Sequence, residues 1–218
     1  MELIGKKANF LGDSITEGFG TSAEDKIYLN VLKESASLAC ARNYGIGGSR
    51  IAAQKEIKEY YDDKEFCNRV ETMDEDADIV VVFGGTNDYG HGDVPLGTFE
   101  DRTQWSFYGA YHLMMQRLIK RFPDAQLVVM TPTHRIDEKM TELNNGEKKH
   151  LSLRNYVDAI IEVAGYYSIP VLDLFRVGGI QPCIQEYRDR YCHPDGLHIS
   201  DAGHALIARK LENFLKTL

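Results

Sequence analysis

The chain is 218 residues long, 43% hydrophobic and 27% charged, with a formal net charge of -8. That apolar fraction suits a packed core rather than a disordered chain, and the acidic balance argues against a nucleic-acid partner or an anionic membrane surface. No apolar run approaches the roughly 20 residues of a membrane-spanning helix.

The first residues, 1–7, lack the apolar core and small-residue cleavage site of a signal peptide, which predicts a cytoplasmic protein. Residues 8–11 read as a strand, 28–41 as an amphipathic helix, and a short strand ends near Asn43. The Ile/Val/Phe run at 79–83 is the pattern of a strand buried on both faces. Helix 108–121, strand 126–131, helix 153–166 and strand 170–174 follow. A last helix starts at Ser200 or Asp201 and runs to Leu218, with Ile207, Leu211, Phe214, Leu215 and Leu218 on one face. Asp173 reads as a helix cap in preference to a pocket wall. Strands alternating with helices predict an α/β fold, a flavodoxin-like three-layer sandwich around a five-stranded parallel sheet. With no linker, low-complexity tract or internal repeat, residues 1–218 are expected to form one domain. Cys40, Cys67, Cys183 and Cys192 are scattered without a Cys-x-x-Cys, as reduced thiols are; a Cys183–Cys192 disulfide is the alternative.

Four short segments carry the chemistry. Gly12-Asp13-Ser14-Ile15-Thr16 places a serine where the first strand ends. Gly, Asp and Ser are also ordinary turn and helix-cap residues, so this segment alone decides little. Asn43-Tyr44-Gly45-Ile46-Gly47-Gly48-Ser49 and Gly84-Gly85-Thr86-Asn87-Asp88 also follow strands, where open α/β sheets bind ligands. His193-Pro194-Asp195-Gly196-Leu197-His198 sets a carboxylate and an imidazole three residues apart, near enough for one turn or helical start to aim both at one pocket. A serine hydroxyl needs a base to take its proton, and that base needs a third group to fix its tautomer. Ser14, His198 and Asp195 suit those roles. A glycine amide and an asparagine side-chain NH₂ suit a developing oxyanion, because one allows close approach and the other adds a neutral donor.

In this order the four segments resemble the blocks of the SGNH (GDSL-type) hydrolase superfamily, and they span the chain from Gly12 to His198. The resemblance implies Ser14 as nucleophile, Asp195 and His198 as its partners, and an oxyanion hole from Ser14, Gly48 and Asn87. Gly47 stays the alternative to Gly48, and Asp13, Gly47 and Trp105 are candidates for contact with substrate. His193, His198 and His204 lack the spacing of a zinc site, so no metal and no cofactor is expected.

Specificity is expected in the loops 89–107 and 133–152. The first carries His91, Phe99, Trp105 and Phe107; the second carries His134, Arg135, Asn144, Asn145 and the Lys148-Lys149-His150 run. The expected activity is hydrolysis of a small-molecule carboxylic ester through an acyl-enzyme. Short acyl groups such as acetyl, on carbohydrate, come first, since the sequence shows no amphipathic lid for a long chain. A lysophospholipase or thioesterase would use the same catalytic residues, and a carbohydrate- or partner-binding module with a silent triad is the reading from another class. An apolar helix face can meet the sheet or a second copy, so a homodimer is one arrangement open to this chain.

Overall fold

The computed structural model describes residues 1–55, 64–138 and 151–218. Its five strands are β1 (Lys7–Gly12), β2 (Cys40–Gly45), β3 (Ile79–Phe83), β4 (Gln126–Met130) and β5 (Val171–Leu172). They form one sheet in the order β2-β1-β3-β4-β5, with every pairing parallel. The helices in chain order are α1 (Ser14–Glu17), α2 (Tyr28–Ala36), α3 (Phe66–Arg69), α4 (Thr86–His91), α5 (Phe107–Arg121), α6 (Leu153–Tyr166), α7 (Leu174–Val177), α8 (Gln185–Tyr191) and α9 (Asp201–Leu215).

Side chains alternate across the strands, so each strand feeds two cores. Leu11, Val80, Val82 and Val129 meet Phe107, Ala110, Met114 and Leu118 of α5 and Val157, Ile160 and Val163 of α6. On the opposite face Phe10, Ile79, Val81, Phe83, Val128 and Met130 meet Leu29 and Leu32 of α2 and Ile207, Leu211 and Leu215 of α9. This is the expected three-layer sandwich. Because β1 lies between β2 and β3, the connections leave it in opposite directions, which opens the crevice where such sheets hold ligands.

Several boundaries differ from the sequence expectation. Helix α2 ends at Ala36, not at 41: Ser37 takes left-handed backbone (φ 55°), and Cys40 and Ala41 join β2 in register with Lys7 and Ala8. β5 is two residues long rather than 170–174, because Pro170 has no N–H to donate and Asp173 caps α7 by accepting from Arg176 N at 3.2 Å. The last helix stops at Leu215. Cys183 and Cys192 are free thiols, the first exposed and the second buried. No described helix is long and apolar enough to cross a membrane.

Helix α9 docks on α2 through His204, which is fully buried and stacks on Tyr28 with ring centroids 6.0 Å apart. Its Nδ1 accepts from Tyr28 N at 3.1 Å, and burial lowers its pKa to about 4. An unfolded histidine takes a proton below pH ~6.5, but the folded one resists until about pH 4, so this docking loses stability as pH falls through that window. A shift of this size corresponds to on the order of 3 kcal/mol. In urea unfolding between pH 7 and 4, His204→Gln is expected to be less acid-sensitive than the wild type; equal slopes would show that His204 does not titrate this way.

Candidate active site

Gly12, Gly45 and Phe83 end their strands side by side, Gly12 paired with Gly45 on one side and with Phe83 on the other. The first three sequence segments therefore emerge at one edge of the sheet. Gly12 has no room for a side chain, since a Cβ there would lie 1.9 Å from Thr16 Oγ1. Asp13 caps α1 by accepting from Ile15 N at 3.0 Å, which sets Ser14 at the first position of that one-turn helix. Burial pushes the Asp13 carboxyl up to about 7. Asp13 is thus committed to holding the turn; its one described side-chain bond is to the backbone.

The fourth segment arrives from the far end of the chain as a tight turn, not a helical start. Cys192 and Ile199 form an antiparallel bridge, and His193 N donates to His198 O at 2.8 Å. Inside that loop Asp195 Oδ1 accepts from Leu197 N and His198 N, both at 2.9 Å, and Gly196 supplies the left-handed backbone (φ 68°) that closes it. The turn-forming habit of Asp-Gly and the placement of an imidazole are thus one device.

Ser14 Oγ lies 2.8 Å from His198 Nε2, and His198 Nδ1 lies 2.6 Å from Asp195 Oδ2. Partial burial alone would raise the Asp195 carboxyl, but hydrogen bonds from the His198 ring, Leu197 N and His198 N outweigh it and hold the pKa at about 2. An ionised carboxylate only accepts, so Nδ1 carries the ring proton, Nε2 is the acceptor, and the Ser14 hydroxyl donates to it. This is the tautomer in which a serine can be deprotonated. Phe19 covers the imidazole with its ring centroid 4.3 Å away. His193 Nδ1 also approaches Asp195 Oδ2, at 3.1 Å, without the alignment of a hydrogen bond.

The oxyanion candidates line the same edge. Gly48 has left-handed backbone (φ 71°), while a Cβ built on Gly47 would lie 3.8 Å from Ser14 Cβ, so the loop runs directly past the serine. Asn87, on the first turn of α4, donates from Nδ2 to Ser49 O at 2.9 Å, which fixes its amide and leaves its second N–H without an acceptor among the described residues. Asp88 accepts from Ile51 N and Ala52 N at 2.9–3.1 Å and so fastens the third segment to the chain following the second; burial raises its pKa to about 6.

Arg69 is a residue that the sequence reading did not single out. It is buried over the Phe66 ring, 4.6 Å from its centroid, and donates to Lys64 O, Tyr44 O, Gly12 O and Ser49 Oγ. Burial depresses its pKa to about 10, against the attraction of Asp13. One guanidinium thus bolts the first segment to the second, next to the residue whose carbonyl holds Asn87. No motif announces it, since its partners are backbone oxygens and a hydroxyl.

Trp105 is 48% exposed, beside the bond from Ala53 N to Gln104 O. Tyr89 and Phe107, which bound the first of the two loop stretches, are buried in the core, on α4 and at the start of α5. In the second, 139–150, with Asn144, Asn145 and Lys148-Lys149-His150, lies outside the described residues. The described residues hold no cluster of His, Cys, Asp and Glu suited to a metal ion.

Among solved structures, a protein from Lactobacillus plantarum is 31% identical, matches over 99% of this chain and 98% of its own, and superposes with a TM-score of 0.84. A possible lipase from Chitinophaga pinensis is 21% identical over 97% and 98% of the two chains, TM-score 0.68. A carbohydrate acetylesterase family member from Sinorhizobium meliloti is 15% identical over 97% and 98%, TM-score 0.64, a likeness of fold. No curated protein matches the chain. The family model for GDSL-like lipases and acylhydrolases matches residues 10–206, from the strand leading to Ser14 into the helix that follows His198, and the chain belongs to that family.

Proposed function

We propose that this protein is a serine esterase that cleaves carboxylic esters of short acyl groups, acetyl foremost, through an acyl-enzyme. The observation that carries this reading is the unbroken relay from Ser14 Oγ through His198 to Asp195, at 2.8 and 2.6 Å. In this mechanism Ser14 Oγ attacks the ester carbonyl as His198 Nε2 takes its proton, and the oxyanion is met by the amides of Ser14 and Gly48 and the second N–H of Asn87. His198 then gives the proton to the leaving alkoxide, and water repeats the sequence to free the acid. Asp195 stays ionised throughout, holding the imidazolium that forms twice per cycle.

Short acyl groups are favoured because, among the described residues, the exposed apolar side chains shown against the catalytic turn are few. Phe19 packs on His198, and Ile136 packs on Gly196. A carbohydrate alcohol is the first class to try, the Sinorhizobium meliloti neighbour being described as a carbohydrate acetylesterase family member. The test is the initial rate on p-nitrophenyl esters of increasing acyl length beside an acetylated xylo-oligosaccharide, with Ser14→Ala protein as blank. A preference for acetyl, lost in the blank, is expected. A rate that climbs with chain length moves the assignment to a lipid or thioester substrate, and no rate on any ester overturns it in favour of a binding module.

A further inference from the structure

Beyond β4 the chain crosses the sheet edge as residues 131–138, and two contacts fasten it to opposite sides of the site. Ile136 N donates to Gly196 O at 2.9 Å, inside the turn that carries Asp195 and His198. Arg135 Nη1 donates to the carbonyl and the hydroxyl of Thr86, both at 3.2 Å, and Thr86 is the residue before Asn87. The guanidinium therefore stands beside the helix of the oxyanion asparagine, one residue from a bond to the catalytic turn. It lies over the Tyr89 ring, 5.5 Å from the centroid, and Gly90 leaves it room: a Cβ there would come within 2.9 Å of Nη1.

What this arginine lacks among the described residues is a counter-ion. Among the described residues no carboxylate lies within ion-pair distance of it, whereas Arg50, Arg121 and Arg176 each have one. Arg69 has none either, but each of its nitrogens donates to an oxygen of the chain. Among the described residues Arg135 donates through Nη1 alone, and its buried Nε has no partner. Asp137, Asp195 and Asp13 attract it only through space. A guanidinium stays charged and presents a planar fork that fits a carboxylate with two parallel bonds. Nη2 has no acceptor among the described residues and is not sealed off as Nε is, so it is the part of the group an arriving anion can meet, and pairing the partly buried charge offsets its lost solvation. In a chain of net charge -8, a local cation is also what admits an anion to the site at all.

We propose that Arg135 determines substrate specificity by binding a carboxylate carried by the ester, so that the preferred substrates are acetylated hydroxy acids or uronic acids, or half-esters of dicarboxylic acids. This deepens the esterase reading and rests on it. Two matched pairs of substrates test it. Para-acetoxybenzoate against its methyl ester places the charge on the alcohol side, and mono-p-nitrophenyl glutarate against p-nitrophenyl pentanoate places it on the acyl side. In at least one pair the wild type is expected to prefer the anion in kcat/KM by on the order of tenfold to a hundredfold, the usual value of a charged hydrogen-bonded contact. Arg135→Gln is expected to abolish that preference, mainly through KM, and Arg135→Lys to restore part of it. Arg154→Gln, which changes net charge equally at an exposed ion pair on α6, must leave the ratio intact. Ratios near one in the wild type, or ratios that survive Arg135→Gln, overturn the proposal while hydrolysis of the neutral esters leaves the esterase reading standing. No hydrolysis of any of the four overturns both.

Discussion

Ser14→Ala is expected to lower kcat by on the order of 10⁴ to 10⁶, because members of a catalytic triad act as a unit and removal of the nucleophile leaves only what the oxyanion donors and binding supply. The stability cost is expected to be small. The hydroxyl's hydrogen bond runs to His198 at the edge of the sheet, and the capping of α1 comes from Asp13, which the substitution leaves in place. Tm should therefore shift by no more than a few degrees, since removing a partly exposed hydrogen bond costs about 1 kcal/mol. Covalent labelling by a fluorophosphonate should vanish in the same variant. Labelling that persists at the wild-type rate places the nucleophile elsewhere.

Asp195→Asn is expected to cost about 10⁴ in kcat with KM little changed, and the reason is which atom carries a proton. An asparagine keeps one carbonyl oxygen to accept from Leu197 N and His198 N, so the turn that presents His198 survives. Its NH₂ then faces His198 Nδ1, where the carboxylate oxygen accepts at 2.6 Å. A donor there turns Nδ1 into the acceptor and moves the ring proton to Nε2, the atom that must receive the proton of Ser14. The measurement that separates this from a collapsed turn is a pair: kcat reduced by orders of magnitude, and an unfolding midpoint near that of the wild type. A variant with wild-type kcat would mean that another group orients the imidazole, with His193, 3.1 Å from the same carboxylate oxygen, the first to replace.

The legible parts of this molecule are those in which one physical demand dominates a stretch of sequence. β3 is readable to the residue because a strand buried on both faces is an unbroken apolar run, here of Ile, Val and Phe, and α6 because its apolar face repeats at helical spacing over its whole length. The Ser14, Asp195 and His198 trio is legible because each stands in a short segment whose neighbours leave few other uses, and the structure brings the three together. Helix α2 reads too long because residues 37–41 keep a helical pattern while sheet pairing claims Cys40 and Ala41. Helices α1 and α4 escape notice because Gly, Asp and Asn, which announce turns, also cap helices of one or two turns. Arg69 is invisible to pattern reading for a different reason: its partners include backbone carbonyls and a hydroxyl brought from distant segments, and no spacing encodes those. Arg135 stands in the 133–152 stretch that reads as a specificity loop, but its contact with Thr86 is equally unencoded.

The bond between Ser14 and His198 joins residues 184 positions apart, and it exists only once the turn ahead of α9 has closed and α9 has docked against α2. The hydroxyl and the imidazole that would sharpen it stand on opposite sides of the chain's whole sheet in sequence, with all five strands lying between them or leading to them. Until the turn closes the serine is an ordinary alcohol. In the proposed mechanism reactivity is therefore a property of the closed fold, and a chain that loses the packing of α9 on α2 is expected to lose acylation with it.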